Sequence, residues 1–173
     1  MTIFRHHPIA RRQVLAGGIA GFATAIFVTP LMAAQAATLL IDGDIAAAGG
    51  TMQLTDTALS ALPQIAFATS TIWTTGEIRF SGPALAAVLQ AGGAGTGDLM
   101  LHATNDYNVK MPRDMIEAEA PIIATRIGGQ PISLRDKGPF WVVFPYDTQA
   151  RFRSDLALMV SVWQLIEISV LQK

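Results

Sequence analysis

No cysteine occurs in the 173 residues. A chain without cysteine has no disulfide to hold it, so its fold rests on a packed core alone. That constraint matters because the N-terminus reads as an export address. Met1–Arg12 is basic, with Arg5, Arg11 and Arg12, and an apolar run covers Val14–Met32. Ala34-Gln35-Ala36 then supplies an A-x-A cleavage signal. The expected division is an export signal over residues 1–36 and one domain over residues 37–173. Left uncleaved, the apolar run is long enough to act as a membrane anchor. Arg11-Arg12-Gln13-Val14-Leu15 also resembles a twin-arginine signal, with an ordinary secretory signal as the other reading.

Removing residues 1–36 changes the charge balance. The remaining 137 residues carry nine basic and 13 acidic side chains, a net charge of −4. Nucleic-acid and anionic-membrane partners call for a basic face, so neither is expected. A chain of this length suffices for one domain with one core. His102 is the only histidine after residue 36, so a zinc site built from histidine and cysteine is not expected. Any Ser-His-Asp arrangement would have to use His102. Within the alternating stretch LMLHAT, that histidine reads as a structural hydrogen-bonding group.

The local pattern reads as many short strands and a few short helices. Strands are expected over 37–45, 51–54, 64–75, 78–81, 98–103, 107–111, 122–127, 130–134, 140–145 and 165–171. Phe140–Pro145 (FWVVFP) is continuously apolar and predicts a strand buried on both faces. Thr55 or Asp56 caps a short helical turn that Pro63 stops. Gly82-Pro83 opens a second helix that ends at Gly92-Gly93. Short helices are also expected over 113–119 and 154–162. No βαβ rhythm is present. The expected class is α+β, with a mixed or mainly antiparallel sheet.

Common catalytic and cofactor motifs are missing: GxGxxG, a P-loop, GxSxG and paired metal-binding cysteines. Gly92–Gly97 (GGAGTG) reads as a turn, and Glu117 and Glu119 as a solvated helix face. Three polar loops remain as candidates. Thr69–Thr75 places hydroxyls, including Thr71, on either side of Trp73. Thr104–Asn108 holds Asn105, Asp106 and Tyr107, and also fits an Asx turn. Arg135–Pro139 holds Asp136, Lys137 and Gly138 directly before the apolar FWVVFP strand, where a rigid element presents a loop.

NDY.V.MP..D, RDKGP.WVVFPYD and W.L..IEI, with the preceding FSGPALAAVLQAGG, resemble the small exported members of the sulfite oxidase-type molybdopterin-binding fold. The resemblance spans about residues 65 to 170. It implies that fold for residues 37–173. Catalytic members ligate molybdenum through a cysteine shortly before the FSGP-like segment; here Thr69-Ser70-Thr71 occupies that region. Hydroxyls are poor substitutes for a thiolate on a soft metal. The nearest likeness is therefore to cysteine-free periplasmic proteins of that superfamily that bind reduced pterins. Some of those control a membrane enzyme of cyclic-di-GMP metabolism.

The resemblance implies a periplasmic, non-catalytic protein with a reduced pterin as ligand, no metal, and a membrane-anchored signalling enzyme as partner. The alternative is a molybdopterin-dependent oxidoreductase domain that holds its cofactor without a cysteine. A pterin is a flat bicycle with an amino-pyrimidine edge and a carbonyl. Its face calls for aromatic partners, and Trp73, Tyr107 and Trp141 are the candidates. Trp141 also reads as core, and Trp163 either packs a helix end or flanks the pocket. Adjacent N–H donors call for a carboxylate, Asp106 or Asp136. The carbonyl and ring nitrogens call for donors: Asn105, Lys137, Arg153 or backbone N–H groups near Gly138.

Overall fold

In the computed structural model, residues 37–173 are described. The export signal expected over residues 1–36 lies outside them. Among the described residues, eleven strands form three sheets, with three short α-helices between them. The class is α+β with mostly antiparallel pairing.

The largest sheet is built from alternating strands. In β1 (Thr38–Gly43), Leu39 and Ile41 point into the core while their neighbours stay partly exposed. It pairs with β2 (Thr51–Thr55) antiparallel and with β11 (Leu165–Val170) parallel. β11 continues antiparallel to β5 (Leu99–Ala103), which pairs with β6 (Asn108–Met111). The order is β2-β1-β11-β5-β6. Leu99, Leu101, Met111, Ile168 and Val170 extend the buried face. On the outer face His102 acts as a structural group, as its alternating context predicts. Its Nδ1 lies 2.7 Å from Asn108 Oδ1 and its Nε2 3.3 Å from Ser169 Oγ.

The second sheet has the order β3-β4-β8-β9, all antiparallel. It contains β3 (Gln64–Ser70), β4 (Glu77–Pro83), β8 (Arg126–Ile127) and β9 (Gln130–Pro131). The third is a pair, β7 (Ile122–Ala124) with β10 (Trp141–Val143). All six residues of that pair are wholly buried, as the continuous apolar run over 140–145 predicts for β10.

The helices are short. α1 (Asp56–Ala61) starts where Thr55 Oγ1 accepts the Ala58 N–H at 3.2 Å. Arg126 clamps Asp56 through two guanidinium contacts of 2.6 and 2.7 Å, fastening α1 to β8. α2 is Leu85–Ala91, and α3 (Asp155–Met159) is capped by Ser154, whose hydroxyl accepts the Ala157 N–H.

Three local expectations are corrected. The strand expected over 64–75 stops at Ser70, and the following residues form the turn into β4. Gly82 and Pro83 do not open α2: they pair with Ile65 and Gln64 as the end of β4. Proline is tolerated at a strand end, where a missing N–H costs little. The helix expected over 113–119 reduces to one 3-10 turn, Arg113–Met115. Its backbone bonds go elsewhere, Arg113 N–H to Asp98 Oδ1 and Glu117 N–H to Ala120 O. Glu117 pairs with Arg151 at 2.7 Å.

Gly82 shows how tightly β4 lies against β7. A Cβ at this position would collide with the carbonyl oxygen of Ile123. Gly82→Ala is expected to cost about 1–3 kcal/mol of stability through forced backbone separation. Urea unfolding measures this directly as a lowered midpoint at an unchanged slope.

Candidate functional site

A groove of about 330 Å³ opens where three connections meet. One is the β3–β4 turn, which contributes Trp73. Another is the β5–β6 turn, with Asn105 and Tyr107. The third runs from the end of α3 towards β11, with Leu158, Met159, Ser161, Val162 and Trp163. This volume lies at the lower end of the usual range for small-molecule sites, and its lining is mostly apolar with a few polar groups, as such sites generally are.

The walls stand on an aromatic cluster. Trp141 of β10 is wholly buried, and its Nε1–H donates to Ser161 O at 3.2 Å. Trp73 meets it edge-on with ring centroids 6.0 Å apart. Trp163 packs against Trp73 at 5.4 Å and against Trp141 at 6.3 Å. Phe80 and Tyr146 complete the cluster, at 5.4 Å from Trp141 and 6.3 Å from Trp73. Edge-to-face packing of this kind adds to the burial of the rings and fixes their orientation. The two reading options for Trp141 are thereby resolved in favour of core, while Trp163 flanks the groove.

Each wall is locally specified. Thr71 Oγ1 accepts the Trp73 N–H at 3.1 Å and lies 2.7 Å from Thr74 Oγ1, so the hydroxyls beside Trp73 shape its turn. Asn105 Oδ1 accepts the Tyr107 N–H at 3.3 Å, the expected Asx turn, and the same two residues line the groove. Asp106 between them adopts a left-handed φ of 63°, which aspartate tolerates better than most residues. Tyr107 Oη–H donates to Met159 O at 3.0 Å, joining this turn to α3.

Ser161 forms part of the floor. Its hydroxyl donates to Ala157 O at 2.6 Å and accepts from Tyr146 Oη–H at 2.7 Å. Burial pushes the Tyr146 phenol up to about 12, against the opposing effect of its hydrogen bonds with Ser161 and Phe144. Among the described residues, the side-chain N–H groups of Trp73, Trp163 and Asn105 have no protein partner and stand available as donors.

The third candidate loop approaches the same cluster without lining the groove. Lys137, at a left-handed φ of 78°, places Nζ 6.0 Å from the Trp141 ring centroid. Its carbonyl accepts the Gln164 N–H. Gln164 also bonds Leu134 O and Thr104 Oγ1, tying the second and third loops together beside Trp163. Gly138 is buried, and its N–H donates to Ser133 O at 2.8 Å. Asp136 is exposed in the 3-10 turn Leu134–Asp136. Arg153 is exposed too; the Ser70 N–H bond chiefly holds the Asp147 carboxyl below its ordinary range, and the Arg153 charge adds to it. Asp106, Asp136, Lys137, Gly138 and Arg153 thus stand around or outside the groove; Trp73, Asn105 and Tyr107 line it, and Thr71 supports Trp73.

Of the α3–β11 segment, which supplies five of the nine lining residues, sequence reasoning singled out only Trp163. For the rest of the segment the available signal was small: a serine inside the apolar run VSVW, whose hydroxyl needs partners once buried. Among the described residues, no group of three His, Asp or Glu side chains is placed to hold a metal ion. No helix among them is long and apolar enough to cross a membrane. In comparisons with known proteins, no family model matches the chain and no curated protein matches it.

The raised Tyr146 pKa makes a signed prediction. A phenol that keeps its proton longer in the folded state adds stability below the unfolded pKa of about 10. That contribution disappears as pH rises from about 10 to about 12. Urea unfolding at either end of this interval should show wild type losing about 2–3 kcal/mol more than Tyr146→Phe.

Proposed function

We propose that this chain is an exported pterin-binding protein of the sulfite oxidase-type fold, acting without metal chemistry. The groove between Trp73, Trp163 and Tyr107 is the observation that carries the reading. A flat, polarisable bicycle gains most from aromatic faces, and two tryptophans and a tyrosine supply them within one small cavity. The free N–H groups of Asn105 and the two indoles offer donors to the ligand's carbonyl and ring-nitrogen acceptors. Asp106, in the turn between Asn105 and Tyr107 though not among the lining residues, is the carboxylate that this reading assigns to the amino-pyrimidine edge.

The resemblance adds the rest of the proposal. It supports a reduced pterin as the ligand, the periplasm as the location, and a membrane-anchored enzyme of cyclic-di-GMP metabolism as the partner. Signalling would require the ligand to favour one partner-competent state over another. The mobile parts of such a switch would be the turns, since Asn105, Tyr107 and Met159 are exposed while the cluster below them is packed.

Titration with 7,8-dihydroneopterin, followed by quenching of tryptophan emission, tests the binding. Saturable quenching by wild type is expected. Trp73→Ala should weaken affinity by about 1–3 kcal/mol through loss of a stacking face, and Asn105→Ala by about 1 kcal/mol through loss of one hydrogen-bonding group. Absence of saturable quenching, or unchanged affinity in both variants, contradicts the assignment. A saturating ligand should also raise the unfolding temperature in proportion to RT ln(1 + [L]/Kd).

A further inference from the structure

The sequence FPYD ends the β10 segment with two residues that reach in different directions. Tyr146 is buried and donates its Oη–H to Ser161 Oγ, on the floor of the groove. Asp147, the next residue, reaches the end of β3. Its Oδ2 accepts the Ser70 N–H at 2.6 Å and the Thr69 hydroxyl at 3.3 Å. In return, the Asp147 N–H donates to Thr69 Oγ1 at 3.2 Å. Thr69 is wholly buried, so its hydroxyl has no water to turn to and depends on this exchange.

Ser70 is the last residue of β3, and the chain there leaves the sheet for the turn that carries Trp73. Directly beyond Ser70, the chain enters the hydroxyl-shaped turn in which Thr71 accepts the Trp73 N–H. The orientation of Trp73 is therefore set from two sides. The buried rings of Trp141 and Tyr146 hold the indole, and the strand end below it is held by Asp147. A charged acceptor makes the stronger kind of hydrogen bond to a backbone N–H. The groups facing this carboxylate are the two hydroxyl residues of β3 and the Arg153 guanidinium, whose charge favours the ionised form.

We propose that Asp147 is a positioning residue for the groove: it fixes the exit of β3 and so the placement of Trp73, without itself lining the cavity. The dipeptide Tyr146-Asp147 then fastens the floor at Ser161 and the Trp73 wall to one rigid segment. The inference rests on the pterin reading only for its choice of ligand probe.

The test has one arm with ligand and one without. In the ligand arm, 7,8-dihydroneopterin is titrated into wild type, Asp147→Ala and Asp147→Asn. The alanine variant should bind about tenfold more weakly, the scale of one charge-assisted hydrogen bond. Asp147→Asn should recover most of that loss, because its side-chain oxygen still accepts the Ser70 N–H. In the ligand-free arm, acrylamide quenching is measured with and without Trp73→Phe in the background. Asp147→Ala should make the Trp73 component more accessible, and Asp147→Asn should restore it. Thr69→Val, which deletes the hydroxyl from the exchange, should shift the same component in the same direction and serves if Asp147→Ala does not fold. Unchanged Trp73 accessibility in folded Asp147→Ala or in Thr69→Val overturns the proposal, as does an asparagine variant no better than alanine. If wild type binds no dihydropterin, the pterin reading fails, and the quenching arm alone decides the role of Asp147.

Discussion

Everything at the candidate site depends on the burial of one indole. Trp141 has no exposed surface, and its single polar atom is satisfied by the Ser161 carbonyl. An indole N–H left unpaired in a core costs more than the bond itself is worth, so this contact fixes where the α3–β11 segment must pass. The Trp163–Trp141 bridge and the Val142 N–H bond to Val162 O hold the same segment in register beside β10. Around that anchor, Trp73 and Trp163 can only stand edge-on, with part of each ring left at the surface. The groove is what remains between side chains that a close-packed cluster leaves half covered.

With no disulfide available, rigidity comes from this cluster and from backbone approach. Gly82 allows β4 to lie directly on β7, and β7 pairs with β10, so the sheet pairing leads to Trp141 itself. The exposed β5–β6 turn is held by hydrogen bonds at the surface, such as Tyr107 to Met159. The result is a stiff floor and Trp73 wall facing a softer wall at the β5–β6 turn. That division suits a receptor whose ligand must alter a surface, because only low-stability elements can shift without unfolding the rest.

Much of the fold was legible in the sequence. Alternation located β1 and β5, and the FWVVFP run identified the most buried strand. Thr55 and Pro63 marked the ends of α1 through known capping and stop chemistry. The errors have a common cause. Residues 71–75 are β-branched and aromatic, as strands are, but their hydroxyls bond their own backbone and turn the chain. Gly82-Pro83 carries a helix-start signature, but pairing with Gln64 and Ile65 prevailed. Arg113–Glu119 has helical composition, but its backbone groups are bonded to Asp98 and Ala120. At the site, Trp73, Asn105 and Tyr107 could be named because polar and aromatic residues share a loop. Ser161 and Asp147 could not, since their roles come from contacts across 15 to 78 positions of chain.

The central claim is that this groove holds a pterin. The most direct measurement is to purify the protein anaerobically and in the dark, release its small molecules, and record their fluorescence and mass. The account predicts a pterin in near-stoichiometric amount, and its loss from the Trp73→Ala variant. A wild-type extract without pterin, from protein whose unfolding temperature no dihydropterin raises, would contradict it.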